Sequence, residues 1–321
     1  MLVQILILLA GLALVVFGAD YLVDGASDIA RRAGLSEFVI GLTIVGIGTS
    51  MPELVVSVVG AIQGNSDVAV GNVMGSNILN ILLILGLTTL IRPVPITKEN
   101  RKRDDIMHLC VVFLLYLIQY DIWHPNLNEP HMMQRWEGIL FLVLFAIYMD
   151  FSFQTNKPVE EKDDPASALP VPKLLPSLLM VIGGLAGLII GGRLFVNSAM
   201  AIAKMVGMSD SLIAATILAG GTSVPELATC IVAAIKGRGQ LAYGNIIGSN
   251  ISNILLILGA SAVIHPLTFF GIGSQIYTAF ISSAVLLSLC VHLSKRRGVL
   301  GRGMGIAMLL FFGLYLFNLF S

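Results

Sequence analysis

The chain has 321 residues, of which 56% are hydrophobic and 12% charged, about half the charged share of an ordinary soluble domain. That excludes a water-soluble globular protein and implies a polytopic membrane protein in contact with the lipid bilayer. Nineteen basic and nineteen acidic residues give zero formal charge, so nothing points to nucleic acid as a partner.

A helix needs about 20 apolar residues to cross the hydrocarbon core. On that criterion the chain carries ten spans, near residues 2–19, 37–62, 68–91, 106–123, 136–153, 174–196, 210–235, 240–264, 269–293 and 300–319. The first has no charged region before it and no small-residue cleavage site after it, so it reads as a retained span. Asp20, Asp24 and Asp28 follow at a spacing of four, just before Arg31 and Arg32. They read as a solvated helix end with local ion pairs, and Asp67 as a surface residue. Gln154 to Lys173, with Pro158, Glu160, Glu161, Lys162, Asp163, Asp164 and Pro165, is the one long polar stretch and reads as a surface linker. It divides the chain into a first five-helix unit, 1–153, the linker 154–173, and a second five-helix unit, 174–321. Cys110, Cys230 and Cys290 fall singly in apolar segments and read as small buried hydrophobes. His108, His124, His131, His265 and His292 show no ligand spacing.

The two units repeat. A constant offset of 173 maps Gly48 to Gly221, Glu53 to Glu226, Gly71 to Gly244 and Gly86 to Gly259, and 24 of the 39 positions from 48 to 86 match their partners. That is a duplication, and it extends upstream through Gly18 and Gly191 to Ser36 and Ser209. An odd number of spans per unit makes the second enter the membrane from the opposite side, an arrangement typical of transporters. The fold expected is therefore an all-α integral membrane protein of ten transmembrane helices in two inverted five-helix repeats, with broken helices at the midplane. Sixteen of the nineteen Lys and Arg residues fall in one set of alternate loops, including Arg31, Arg101, Lys102, Arg103, Lys236, Arg238 and Lys295 to Arg297, while the other set holds Arg135 and Lys204. Positive loops stay in the cytoplasm, so both termini are expected outside it.

The most informative stretch is Gly48, Thr49, Ser50, Met51, Pro52, Glu53, repeated as Gly221, Thr222, Ser223, Val224, Pro225, Glu226. An ionisable residue inside an apolar span is costly and by default functional. A proline in a helix interior frees the carbonyl four residues back, here those of Gly48 and Gly221, and lets neighbouring carbonyls, including those of Thr49 and Thr222, turn toward a ligand. Each stretch thus offers carbonyls, a hydroxyl from Ser50 or Ser223, and a carboxylate. Hard oxygen donors suit sodium, calcium or magnesium, and calcium tolerates the irregular coordination of a site built from two halves. The following spans add Asn72, Ser76 and Asn80, with Asn245, Ser249 and Asn253, each four apart and on one helix face. Asn72, Asn77, Asn245 and Asn250 are also readable as polar glue between helices. Gly71 and Gly75, with Gly244 and Gly248, have the small-xxx-small spacing of close helix contacts.

Glu53 and Glu226 give the site a formal charge of minus two, which one divalent cation or two sodium ions neutralise. Two carboxylates with no cation between them repel in low dielectric, so an empty site is able to take up a proton. Exchange of equal charges at one site opened alternately to each side is the arithmetic of an antiporter.

The two G-T-S-x-P-E-L motifs, each followed by G-S-N, resemble the alpha repeats of the sodium/calcium exchangers of the cation/calcium antiporter superfamily, and the chain looks most like their compact prokaryotic members. The resemblance implies a sodium-for-calcium antiporter of the plasma (inner) membrane, working by alternating access. Its implied calcium ligands are Glu53, Glu226 and the carbonyls of Thr49 and Thr222. Its implied sodium ligands are Ser50, Ser76, Ser223, Ser249 and the carbonyls of Gly46 and Ala219. Some relatives carry an aspartate where this chain has Asn253, opposite Asn80, and the amides here argue against potassium cotransport. Calcium and sodium are the expected cargo, with no resident cofactor and no protein partner required. A proton/calcium exchanger using the same glutamates is the nearest alternative, and a passive cation channel is one from another class. An enzyme is not expected, because Ser50 and Ser223 lack a histidine or lysine base in their spans and no His-Glu-x-x-His motif occurs.

Overall fold

The structure is a computed structural model and describes residues 1–119, 132–155, 173–208, 219–269 and 272–320. Helix α1 (Leu2–Ala33) runs for 32 residues, about 48 Å at 1.5 Å per residue, well past the 2–19 expected. Apolarity ends near Gly18, but a helix ends where its backbone does. Gly34, with φ 62°, supplies the left-handed residue that closes α1, its amide donating to the Ala30 carbonyl. Ser36 caps the next helix by accepting from the Val39 amide. Helix α2 (Glu37–Thr49), which contains a π segment at Gly41–Val45, meets α3 (Met51–Ile62) at a 48° bend.

Helix α4 (Ser66–Ile91) follows, capped by Asn65, then a π turn at Asn100–Asp104 and α5 (Asp105–Gln119). Helix α6 (Arg135–Thr155) completes the first unit. In the second unit, α7 (Leu174–Met205) again outruns its expected end at 196. A short turn, Ala219–Gly221, leads to α8 (Val224–Ile235), and then come α9 (Gly239–Ile264), α10 (Ser274–Leu293) and α11 (Arg302–Phe320). Most of the linker expected at 154–173, and the start of the seventh span, lie outside the described residues. Among the described residues, seven helices are long and apolar enough to cross a membrane, and eight if the α2–α3 pair is one span.

Burial sorts these helices into a centre and a jacket. The most apolar window of α9 is 83% buried and that of α4 is 67% buried, against 22% in α1 and 11% in α11. The outer helices turn Leu310, Phe17 and Leu175 outward, which hydrocarbon accommodates and water does not. Cys230 and Cys290 are buried as expected, but Cys110 is exposed on α5. In a membrane the outer face is itself apolar, so a lone thiol on a hydrophobic span need not point inward.

Two features position the site. Gly244 and Gly248 let α9 press against the Phe38 and Leu42 carbonyls of α2, the close approach their spacing predicts. Two antiparallel two-residue pairings tie the units together, β1 (Val94–Pro95) with β4 (Val299–Leu300) and β2 (Met132–Met133) with β3 (Leu267–Thr268). Each joins a strand of one unit to a strand of the other.

Candidate cation site

The chain breaks at the two serines. Ser50 has φ −81° and ψ 8°, Ser223 has φ −87° and ψ 9°, and new helices begin at Met51 and Val224. Pro52 and Pro225 therefore occupy the first turns of α3 and α8, not a helix interior as expected. There the missing amide proton has no helical acceptor to lose. The Gly46 carbonyl still accepts from the Ser50 amide at 3.2 Å. The consequence for Glu53 and Glu226 is favourable, because both carboxylates stand in the first turn of a helix, where the positive end of the backbone dipole favours negative charge.

The carboxylates are then braced across the units. Ser50 Oγ donates to Glu226 Oε1 at 2.9 Å, and Ser223 Oγ donates to Glu53 Oε1 at 3.1 Å. Ser249 Oγ lies 3.4 Å from Glu226 Oε1 and Ser76 Oγ 3.4 Å from Glu53 Oε1. Each glutamate thus meets one hydroxyl from its own unit and one from the other. Both glutamates are 1% exposed, and among the described residues neither forms an ion pair with Lys or Arg.

The threonines and asparagines continue the exchange. Thr49 Oγ1 donates to Asn245 Oδ1 at 3.1 Å, and Thr222 Oγ1 to Asn72 Oδ1 at 3.4 Å. Asn80 Nδ2 donates to Asn250 Oδ1 and Asn253 Nδ2 to Asn77 Oδ1, both at 3.0 Å. Asn80 and Asn253 each open a π segment, Asn80–Leu85 in α4 and Asn253–Leu258 in α9, an irregularity common at functional sites. Four buried acceptors are left without a hydrogen-bond partner, namely Glu53 Oε2, Glu226 Oε2, Asn80 Oδ1 and Asn253 Oδ1. A buried acceptor with no donor is costly, and the natural complement to four oxygens bearing two negative charges is a hard cation.

The structure therefore brings together Glu53, Glu226, Ser50, Ser76, Ser223, Ser249, Thr49, Thr222, Asn80 and Asn253. Gly46 joins them through its carbonyl, which accepts from Ser249 Oγ at 3.2 Å. Its counterpart Ala219 heads the turn that leads into the second break, while Ser76 Oγ lies 3.3 Å from Ser223 Oγ.

One role was offered by the sequence as an alternative, and another was not read from it. Asn77 and Asn250 brace α4 against α9, with Asn77 Nδ2 also donating to the Asn250 carbonyl at 3.2 Å, which favours the glue reading for this pair. Ser57 accepts from Asn72 Nδ2 at 3.0 Å, and the residue at the matching position, Cys230, accepts from Asn245 Nδ2 at 3.2 Å. The offset of 173 pairs Ser57 with Cys230, so the signal was present, but a lone cysteine was read as a hydrophobe. A cavity of about 170 Å³ adjoins the breaks, lined by Pro52, Thr222 and Pro225 on one side and by Gly192, Arg193 and Asn197 of α7 on the other.

Comparison with known proteins gives the family. The family model described as sodium/calcium exchanger protein matches residues 3–154 and 176–321. The protein CaxA of Alkalimonas amylolytica is 40% identical, over 100% of both chains. The sodium/calcium exchanger MaX1 of Methanosarcina acetivorans is 33% identical, over 99% of both. The solved structure of the sodium-calcium exchanger NCX_Mj, in a form soaked with sodium and calcium, matches with a TM-score of 0.84 at 31% identity, covering 100% of this chain and 99% of that one. With apolar helices jacketing a twofold polar centre and a family match through both units, this multi-pass integral membrane protein belongs to the sodium/calcium exchanger family.

Proposed function

We propose that the protein is a secondary active antiporter that exchanges sodium for calcium across the plasma membrane by alternating access. The observation that carries this reading is the set of four buried, unpartnered oxygens of Glu53, Glu226, Asn80 and Asn253 around two carboxylates with no basic partner among the described residues. Calcium bridges Glu53 and Glu226 with help from the Thr49 and Thr222 carbonyls, and its two charges match theirs. Sodium ions take the hydroxyls of Ser50, Ser76, Ser223 and Ser249 with the Gly46 and Ala219 carbonyls. Both cargoes need the same carboxylates, so they exclude each other, and exclusion is what couples their movements.

The ten spans form two inverted units, 1–153 and 174–321, joined by a cytoplasmic linker at 154–173, with both termini outside. The reciprocal bracing, Ser50 on Glu226 and Ser223 on Glu53, supports a twofold relation, and the distribution of Lys and Arg supports the orientation. Helices α1 and α7, the first and sixth spans, slide together against the core to change access. A β-carbon on Gly18 would stand 2.8 Å from the Gly184 carbonyl oxygen, and one on Gly191 2.8 Å from that of Gly11, so the two helices are packed backbone to backbone. The name of MaX1, and the description of NCX_Mj as undergoing extracellular ion exchange with induced binding-site occlusion, are consistent with this cycle.

The test is calcium-45 uptake into proteoliposomes with and without an outward sodium gradient, for wild type, Glu53→Gln and Glu226→Gln. Uptake should follow the gradient in wild type and vanish in both variants, since a site of charge minus one cannot neutralise calcium. Uptake that ignored sodium but followed a pH gradient would identify proton/calcium exchange. Uptake indifferent to both gradients would identify a passive channel, and uptake that survived both substitutions would place the site elsewhere.

A further inference from the structure

Two asymmetries break the match between the units at opposite ends of the α1–α7 pair. The first concerns the cavity. Gly192, Arg193, Val196 and Asn197 of α7 line it, whereas their counterparts on α1, at the offset of 173, are Ala19, Asp20, Val23 and Asp24. Ala19 and Val23 are 0% exposed, against 8% for Val196, while the side chains of Asp20 and Asp24 are 51% and 46% exposed at the rim. Both breaks also lean on the same helix. A β-carbon on Gly48 would stand 2.7 Å from Leu185, and one on Gly221 2.8 Å from Val196, and both contacts belong to α7. Twofold symmetry would give one of them to α1. The pair is therefore displaced toward one end of its travel, with the α7 path open and the equivalent α1 path shut.

The second asymmetry stands at the shut end. Lys236, which follows the last residue of α8, places Nζ 2.6 Å from Asp20 Oδ1, 2.7 Å from Asp24 Oδ1 and 3.3 Å from the Asp20 carbonyl. An ammonium has three donors, and all three are engaged on α1. At the open end the counterparts are Arg193, Asn197 and Gln63, which hold no such charge pair. Asp28, the next acid on α1, is paired with Arg31 at 3.0 Å, so among the described residues the Lys236 clamp is the ion pair between α1 and the end of the helix bearing Glu226.

We infer that Lys236, Asp20 and Asp24 form a one-sided latch that holds the α1 path closed and sets which face of the membrane the cation site opens to. They are positioning residues, remote from the cations, and the inference rests on the alternating-access reading above. Because α1 and α7 are packed as one body, opening the α1 path requires the clamp to part. A latch on one side only biases the two states and lowers apparent affinity at the latched face by the fraction of molecules it withholds.

The experiment uses full-length protein in inverted membrane vesicles, with Cys110→Ala, Cys230→Ser and Cys290→Ala, and Val23→Cys as the reporter. The readout is the rate of modification by a membrane-impermeant maleimide. Val23→Cys should be nearly inert with Lys236 present and should react about fivefold faster in Lys236→Gln, the effect expected for a pair of partly exposed ion pairs. Lys236→Arg should restore protection, as should the charge exchange Lys236→Glu with Asp24→Lys. Calcium uptake by the same vesicles should show a lower apparent KM at the cytoplasmic face and a higher one at the external face in Lys236→Gln. An unchanged labelling rate in Lys236→Gln overturns the latch, as does equal acceleration in Lys236→Arg. If labelling changes as expected but no variant shows sodium-driven flux, the latch stands and the exchange reading fails.

Discussion

Ser50→Ala removes from Glu226 Oε1 its shorter hydroxyl contact, at 2.9 Å, and leaves Ser249 at 3.4 Å, whose one proton is also drawn to the Gly46 carbonyl at 3.2 Å. Hydroxyl donors favour about 2.7–2.8 Å, so the survivor is a weak substitute. A hydrogen bond to a charged group is worth about 1.5–3 kcal/mol, or roughly 10- to 150-fold in an equilibrium constant. In the proposed cycle the same hydroxyl turns its lone pairs to sodium, whereas calcium is held chiefly by the two carboxylates. The sodium concentration for half-maximal calcium efflux from proteoliposomes should therefore rise within that range, while the calcium KM in sodium-free calcium/calcium exchange moves far less. Ser223→Ala, which removes the 3.1 Å contact to Glu53, should behave as its twin. Unchanged sodium dependence in Ser50→Ala would refute the serine assignment. A strong effect in one twin and none in the other would refute the equivalence of the two half-sites.

Two further predictions test the scaffold. Gly184→Val places a β-carbon 2.6 Å from the Leu22 amide nitrogen, and backbone cannot step aside as a side chain can. Its overpacking cost is about 1–3 kcal/mol, read as a lower Tm in detergent, whereas Gly183→Ala, on the exposed face of α7, should be neutral or stabilising. Pro52→Ala should cost less than about 1 kcal/mol, the usual scale for proline acting through the unfolded chain. A gain of several degrees in Tm would mean that the proline interrupts a helix, against the break at Ser50.

The site was legible in the sequence to an unusual depth because the chain states it twice. The offset of 173 isolates Glu53 with Glu226 and Ser76 with Ser249, and apolar surroundings mark each polar residue as purposeful. What the offset does not carry is partnership. It pairs Ser50 with Ser223, yet the structure pairs Ser50 with Glu226 and Ser223 with Glu53, each serine reaching the carboxylate of the other unit. Helix ends were misread where hydropathy and backbone diverge. Asp20 and Asp24 end the apolar run of α1 but not the helix, since no proline interrupts it and the first left-handed glycine is Gly34. Pro52 misled in the opposite direction, because a proline at a first turn and a proline in an interior are the same letter, and only the dihedrals of Ser50 tell them apart.

The amides at the centre show why neutrality there has structural consequences. Asn80 and Asn253 each donate Nδ2 across the interface between α4 and α9, to Asn250 Oδ1 and Asn77 Oδ1, and each keeps Oδ1 unpartnered. One side chain thus ties the two units together and still keeps a buried oxygen without a donor. An ionised carboxylate at either position would supply the oxygen but not the donor, and would leave two acceptors facing each other in a buried interface. It would also raise the site's charge to minus three, which one calcium cannot balance. Under the proposed exchange the asparagines would serve three ends at once, namely a brace between α4 and α9, additional hard-oxygen acceptors, and a site charge set by Glu53 and Glu226 alone. In the proposed cycle the moving part lies elsewhere, in the glycine-packed pair of α1 and α7.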